Sequence, residues 1–466
     1  MKFVMTTLVA VLLSGCAAKV PALMMDEVEA AVPGSWATTK EAKSGVDVNW
    51  VQRFGDNQLE SMVREALKSN QDMRIAAERL KRAGESARMA GALAKPQMNF
   101  TATGDKRNTR FIGFPFGGSL ISESYGVDLN INWEPDLWGK VRAKKSASMA
   151  EWQAGGQDYR AAKASLAAQV CKAWFALAEA NEQVSLAAQA VRLRAQAETM
   201  VKERYQRDMR AEGGTAAQLR LAQTELATAK AEQSARRGNL DAASRQLELL
   251  LGRYPQGKAS GRVRLPRIPA NPPAGLPSEL LLRRPDILAA ERRYAASVKW
   301  MKEAQLAIFP SFSMTGSSGT TTESLGKIIN SDFGVWSIGA SLFQPLLTGG
   351  RVRSEIRTRE SKQQEALAIL HKTVINAFGE VEQALASEHW LARRQYETRL
   401  ARDLASDAAK AAEDDYREGN GDVLTLLSAQ SSQVEVESQY ATLRRMRLAN
   451  RVDLHLALGG GFELKP

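Results

Sequence analysis

The chain has 466 residues but only two cysteines, Cys16 and Cys171, and three histidines, His371, His389 and His455. Cys16 closes a leader, so no intrachain disulfide is available. Cys171 lies in an apolar helical stretch and reads as an inert core thiol. The histidines are scattered, and no Cys/His cluster has metal-ligand spacing. There is no phosphate loop and no G-x-S-x-G. The terminal Gly459-G-G and Gly316-S-S-G are loop glycines. Neither enzyme chemistry nor a cofactor is expected. Nor is there an apolar run near the roughly 20 residues a membrane-spanning helix needs. The net charge is +11, but Lys and Arg are spread along the chain. Without a nucleic-acid motif, that distribution reads as solvated helix faces plus a headgroup contact.

What is present begins with the leader. Lys2 precedes an apolar run from Phe3 to Leu13, followed by L13-S-G-C16. A positive start, a short apolar core and a small-residue cleavage site make a secretory signal over residues 1–15. Leu-Ser-Gly-Cys also looks like a bacterial lipobox, in which Cys16 becomes the acylated first residue. Ala17, in place of Asp, favours the outer membrane.

The second feature is an internal duplication. Asp72 and Asp286 lie 214 residues apart, as do Pro96 and Pro310. Gly139 and Gly350, and Tyr205 and Tyr416, lie 211 apart; Gln223 and Gln430, and Gly252 and Gly459, lie 207 apart. Matches in one order with slowly drifting offsets mean two copies with small indels. Residues 57–252 and 278–458 are the repeats. Residues 16–56 read as an extended arm and 253–277, with six prolines, as a connector. Residues 459–466 form a tail.

Within each repeat the hydrophobic period changes. Leu59, Met62, Val63, Ala66 and Leu67 mark a helix over about 58–94. Met98, Phe100 and Ala102 then alternate with polar residues, as do Tyr125, Val127, Leu129, Ile131 and Trp133. This is the period of half-buried strands. A loop over 104–124 joins them. Phe312 and Met314, then Trp336, Ile338, Ala340 and Leu342, repeat the pattern around a loop at 316–332. Two proline-free stretches follow, Arg142 to Gln206 and Arg353 to Arg417, each 65 residues. Each would run roughly 100 Å as one helix. Ala167, Val170, Trp174, Leu177, Asn181, Val184, Ala188 and Val191 step 3, 4, 3, 4, a seven-residue repeat that supercoils against neighbours. Leu370, Val374, Phe378, Val381 and Leu385 mark the second stripe. Gly-containing turns and returning helices complete each repeat.

Four strands with one apolar and one polar face fit a transmembrane barrel. They cannot close one, and open edges are not tolerated in lipid, so other copies must supply the rest. Two copies give eight strands, a barrel filled by its own side chains; three give twelve, with room for a channel.

The chain resembles the TolC-like outer-membrane factors, the exit ducts of tripartite efflux pumps and some secretion systems. The residues that carry this are the lipobox, L280-L-L-R-R-P-D-I with A289-A-E, F309-P-S-F-S, W133-E-P-D-L-W-G-K, P345-L-L-T-G-G-R and Y416-R-E-G-N-G-D-V-L. The resemblance implies a mixed α and β fold: a homotrimer with a twelve-stranded outer-membrane β-barrel continued by a long periplasmic α-helical barrel. It further implies passive conduction of small molecules such as drugs, with a periplasmic adaptor protein and an inner-membrane transporter as partners. Type I protein secretion and metal-ion efflux are the alternatives within transport, and a structural envelope lipoprotein is the alternative outside it. Arg210, Gly213, Gly214, Gly419 and Gly421 form the turns expected to meet the adaptor. Tyr416 and Arg417 are expected to tie the second hairpin to a neighbouring one, with Leu424 as an apolar constriction. Glu418 and Asp422 would form acidic rings. Gln218 and Ser428 stand where many relatives carry a carboxylate, so a charged lock there is excluded. Lys140, Arg142, Lys144, Lys145, Arg351 and Arg353, with Trp133, Trp138 and Trp336, are expected at the membrane surface.

The lipobox gives a direct expectation: Cys16→Ala abolishes metabolic labelling with a tritiated fatty acid, while the barrel still allows some insertion. Label that persists in the variant rules Cys16 out as the anchor.

Overall fold

The computed structural model describes residues 24–26, 33–38, 50–110, 118–208, 215–259, 264–272, 274–275 and 277–460. Cys16 lies outside them, as do Arg210, Gly213 and Gly214. The elements in order are helices α1 (Asn57–Ser69) and α2 (Gln71–Ala92), strands β1 (Gln97–Arg110) and β2 (Ser119–Trp133), and helices α3 (Lys140–Asp208) and α4 (Ala216–Leu250). The second copy follows as α5 (Pro277–Arg283), α6 (Pro285–Leu306), β3 (Ser311–Thr322), β4 (Gly334–Phe343), α7 (Arg351–Glu418) and α8 (Val423–Ala457). The chain divides into two compact units. One holds residues 79–156 and 289–371, with the sheet. The other holds 28–78, 157–288 and 372–466, with most of the helices.

In the sheet unit the four strands form one antiparallel sheet in the order β1-β2-β3-β4. The loops are shorter than the alternation of apolar residues suggested. β1 continues through Asp105, Lys106 and Arg107 to Arg110, and β2 begins at Ser119, so the loop assigned to 104–124 is mostly strand. β3 likewise runs to Thr322. One-turn 3-10 helices at Leu325–Lys327 and Ser331–Phe333 fill the rest of the region assigned to 316–332. Polar residues can extend a ladder once its register is set, because the backbone hydrogen bonds do not depend on the side chain. The strand feet are tied in matching ways. Trp133 Nε1 donates to Ala94 O at 3.1 Å, and Gln344 Nε2 donates to Ile308 O at 2.8 Å. Donors 211 apart and acceptors 214 apart reproduce the offsets read from the sequence.

In the helical unit the predicted helix over 58–94 is broken at Asn70, whose ψ of 135° is extended. Its side chain explains the break. Oδ1 accepts from the N–H groups of Asp72 and Met73, capping α2, and Nδ2 donates to Leu250 O at 2.9 Å. The second repeat breaks 214 residues later, between α5 and α6. There Arg284 Nη1 donates to Ala457 O at 3.1 Å, while Nη2 pairs with Asp286 at 2.6 Å. Leu250 and Ala457 are 207 apart. Both copies thus tie their helix break to the last turn of the returning helix, one with an amide and one with a guanidinium.

The core follows the expected helix faces only in part. Trp50, Phe54, Leu59, Val63, Cys171, Trp174, Phe175, Leu177, Leu247 and Leu448 share one buried cluster. Burial pushes the Cys171 thiol pKa up, as an inert core thiol requires. The arm assigned as extended contributes a 3-10 turn, Trp50–Phe54, with Trp50 fully buried and stacked on His455 at 5.5 Å. Along α3 the predicted stripe is buried from Ala167 to Leu177. From Asn181 on, its members are half-buried, and the buried line passes instead through Gln183, Ala187, Arg194, Ala197 and Val201. The buried line keeps the seven-residue step, through Ala187, Arg194 and Val201, but lies one position earlier in the repeat than the predicted stripe. On α7, Leu370, Val374 and Val381 are buried as expected, with Phe378 and Leu385 half-buried.

Gly252 and Gly459 close the two copies with φ of +73° and +74°. A Cβ on Gly252 would meet Ser69 O at 2.5 Å; on Gly459 the nearest atom is Arg283 Cβ at 3.1 Å. Gly252→Ala should therefore cost more than about 2 kcal/mol, since the left-handed conformation alone costs 1–2. Gly459→Ala should cost less. Thermal unfolding of the detergent-solubilised protein, followed by circular dichroism, gives the order; equal melting of the two variants would contradict it.

Candidate functional site

The sheet register assembles two chemically opposite faces. Met98 pairs with Ile131, Ile131 with Gly316 and Gly316 with Ile338; Phe100, Leu129, Ser318 and Trp336 form the next row. These side chains share one face, and Phe100, Trp336, Ile338 and Leu342 are exposed on it. The apolar face starts at Phe312 and Leu342 and ends at Tyr125 and Thr322. Beyond it, on the same face, Lys106 pairs with Glu123 at 2.5 Å. From Phe312 to Thr322 is roughly 34 Å along the strand, or about 26 Å once tilted by about 40°, close to the apolar band of a membrane barrel. The opposite face carries Gln97, Asn99, Thr101, Asn130, Asn132 and their partners. Its serines pair across the strands, Ser313 with Ser341 and Ser317 with Ser337, each at 2.7 Å.

The strand–helix junctions are built twice. Gly139 and Gly350 adopt φ of +87° and +86°, a turn conformation that favours glycine. Asp136 caps α3, accepting from the N–H groups of Val141 and Arg142 at 3.0 and 2.8 Å. Arg142 also pairs with Asp136 at 3.3 Å and Lys140 with Glu134 at 3.9 Å. Lys144 and Lys145 are half-buried, and Arg351 and Arg353 are exposed. Trp138 stacks on Phe309 at 5.3 Å and donates to Pro310 O at 2.6 Å, beside a cavity of about 280 Å³ lined also by Lys140, Phe343 and Arg351. Trp133 lies at the foot of the apolar face. Trp336 does not lie at its margin: the register sets it level with Leu129 and Phe100, well inside that face.

In the helical unit the α7–α8 turn is closed by its own backbone. Asn420 and Gly421 donate to Asp415 O at 2.9 and 3.0 Å, and Gly419 has φ +87°. A Cβ on Gly421 would press on Tyr416 N at 3.0 Å. Asp422 caps α8, accepting from the N–H groups of Leu424 and Thr425 and from the Thr425 hydroxyl. The Thr425 bond, first among these, holds the Asp422 carboxyl below the usual range. Tyr416 is 7% exposed, packed among Ala197, Val201, Ala222, Val423, Leu426 and Leu427, with the Arg204 guanidinium 5.5 Å from its ring. The hairpin that Tyr416 holds is therefore the first hairpin of its own chain. Arg417 pairs with Glu413, one turn back, rather than with Asp414 or Asp415. Glu418 accepts from Asn420 at 3.4 Å. Leu424 stands apart from its buried neighbours at 63% exposed. Gln218 has a local use: with Thr215 it forms the capping box of α4. Ser428 is exposed.

One residue escaped the sequence reading. Arg194, 7% exposed on α3, donates to Leu427 O at 3.0 Å and Gln430 Oε1 at 3.1 Å, and its other Nη bonds Ser431. Glu225 of α4 lies 3.6 Å away. This one guanidinium links both hairpins. Its position seven residues from both Ala187 and Val201 was the available signal. Among the described residues no group of three or more His, Cys, Asp or Glu is placed to hold a metal, and no helix is long and apolar enough to cross a membrane.

A sheet with one lipid-compatible and one polar face, carried by a chain of long helices, defines a pore-forming membrane protein. The comparisons with known proteins specify it. The outer membrane efflux protein family model matches residues 62–253 and again 276–460, once per repeat. The chain is 30% identical over 446 residues to Outer membrane protein OprJ of Pseudomonas aeruginosa, covering 93% of this chain and 91% of that one. It is 27% identical to the Cation efflux system protein CusC of Escherichia coli K12, covering 89% of each. The open-state structure of the Neisseria gonorrhoeae MtrE outer membrane channel superposes with a TM-score of 0.82 at 27% identity, covering 96% of this chain and 98% of that one. The chain belongs to the outer membrane efflux protein family. It is an outer-membrane channel of the efflux type, with the mixed α and β fold of that family.

At the α7–α8 turn, Leu424→Ala is expected to raise influx of large antibiotics several-fold, because Leu424 is the apolar side chain left uncovered there. Tyr416→Phe and Arg417→Ser should add smaller increments, since each retains or replaces only part of a local contact. If the triple variant assembles normally and admits no more antibiotic than the parent, the constriction lies elsewhere.

Proposed function

We propose that three copies of this chain close a twelve-stranded barrel and act as the passive exit duct of a tripartite efflux pump. The observation that carries this is the four-stranded sheet, polar on one face and apolar on the other, with β1 and β4 at its edges. In hydrocarbon those edges require partners. Eight strands would fill their own interior, whereas twelve leave a lumen. Chemical energy then comes from an inner-membrane transporter, coupled through a periplasmic adaptor that engages the helix turns. Cys16 carries lipid at the outer membrane. The junction residues Lys140, Arg142, Lys144, Lys145, Arg351 and Arg353 meet headgroups there, each worth about 1 kcal/mol before screening. Arg142 and Lys140 contribute less, being paired with Asp136 and Glu134.

Small drug-like molecules are the cargo this reading favours. Relatives that match this chain over most of its length are named for cation efflux (CusC), toluene efflux (TtgF) and pyoverdine export (OpmQ). The duct is therefore permissive, and cargo choice belongs to the transporter.

Purified full-length protein in planar bilayers is the test. Trimer-sized particles giving discrete conductance steps support the duct. Particles that insert and never conduct, even with Leu424→Ala, identify a structural envelope lipoprotein instead.

A further inference from the structure

The polar face of the sheet is almost uncharged. Between the levels of Gln97 and Thr103 it presents amides, hydroxyls, glycine and Val335, with one charged exception. That exception is Asp128, on β2, paired with Thr101 on one side and Gly319 on the other. The nearest charges further along this face are Asp105 and Arg107, one of each sign. Lys106 and Glu123 pair with each other on the opposite face. Asp128 has no ion-pair partner among the described residues. A Cβ on Gly319 would meet Val127 O at 2.0 Å and Asp128 Oδ1 at 2.5 Å, so the neighbouring position must lack a side chain. Nothing on β3 covers the carboxylate at its own level.

We propose that Asp128 gives the barrel lumen a local preference for cationic over anionic solutes. This rests on the duct reading, in which the polar face lines water and each copy adds one such carboxylate at one level. The barrel wall is a low-dielectric medium that focuses the field of a fixed charge into the water it encloses. Rings of Asp or Glu make pores cation-preferring in this way. In a lumen wide enough for solutes the effect is long-range, so it must depend on salt. The screening length is about 30 Å at 0.01 M and about 8 Å at 0.15 M. A cationic amphiphile leaving the cell would thus meet an attractive site partway along the barrel, and an anionic one a barrier.

The test reads the local potential directly. Thr101→Cys places a thiol across from Asp128 on the same face; Cys171 is buried and does not compete. The assembled full-length protein is treated with membrane-impermeant methanethiosulfonates, one bearing a quaternary ammonium and one a sulfonate. With Asp128 present the cationic reagent should react faster relative to the anionic one, and Asp128→Asn should lower that ratio by at least about threefold at 0.01 M salt and much less at 0.15 M. Asp128→Ser serves as a second neutral variant should the amide impair assembly. An equal ratio in acidic and neutral backgrounds overturns the assignment and leaves the duct intact. A thiol that neither reagent reaches in the assembled protein overturns both, because the polar face then lines no water.

Discussion

The constraint on which the rest depends is that a β-sheet in hydrocarbon can leave no backbone group unpaired. The chain satisfies it internally for β2 and β3 and leaves it open at β1 and β4. Every strong feature of the sheet unit answers to that incompleteness. The apolar side chains of Phe100, Trp336 and Ile338 are exposed within one chain because lipid, not protein, is their partner. The polar face needs water and therefore a lumen. Twelve strands are the smallest closure of this sheet that leaves one.

Duplication supplies the economy of the design. Each copy repeats a helix break tied to the end of a returning helix, a strand foot tied to the turn before it, and a left-handed glycine at the close. The side chains doing these jobs differ. Asn70 is replaced by Arg284, and Trp133 by Gln344, with the same backbone acceptors in register. What is preserved is a donor of sufficient reach at each joint. A long donor such as Arg284 reaches the carbonyl while also pairing with Asp286 and Glu380. The second copy therefore carries charge at a joint where the first is neutral.

Much of this is legible in the sequence. Period-two runs located all four strands, and the offsets of 214, 211 and 207 recur between equivalent joints of the two copies. What was missed has physical causes. Strand ends were invisible because Asp105, Lys106 and Arg107 interrupt the apolar alternation, while backbone bonds and the Lys106–Glu123 pair continue the ladder. The break at Asn70 was hidden inside a continuous apolar period, since a cap needs only one amide and no proline. The one-position shift of the buried line on α3 was lost because half-buried alanines look like core alanines. Arg194 was passed over as a surface charge, though its carbonyl, amide and hydroxyl partners all come from one face of α8.

The tip of the second hairpin shows why a local reading of the gate was incomplete. Tyr416, expected to tie the second hairpin to a neighbouring one, packs on Val201 and Ala222 of the first hairpin of its own chain. Arg417 and Asp422 are likewise satisfied within the hairpin, one by Glu413 and one by the start of α8. A constriction cannot be held by groups already paired at home unless opening breaks those pairs. Leu424 is different. Its backbone is fixed by the Asp422 cap while its side chain has little to cover it, so it is both rigidly placed and unpartnered. An apolar side chain so placed gains by meeting its own symmetry mates and excluding water between them. In the duct proposed above, the polar residues would serve to aim Leu424, and the apolar contact itself would supply the closing force.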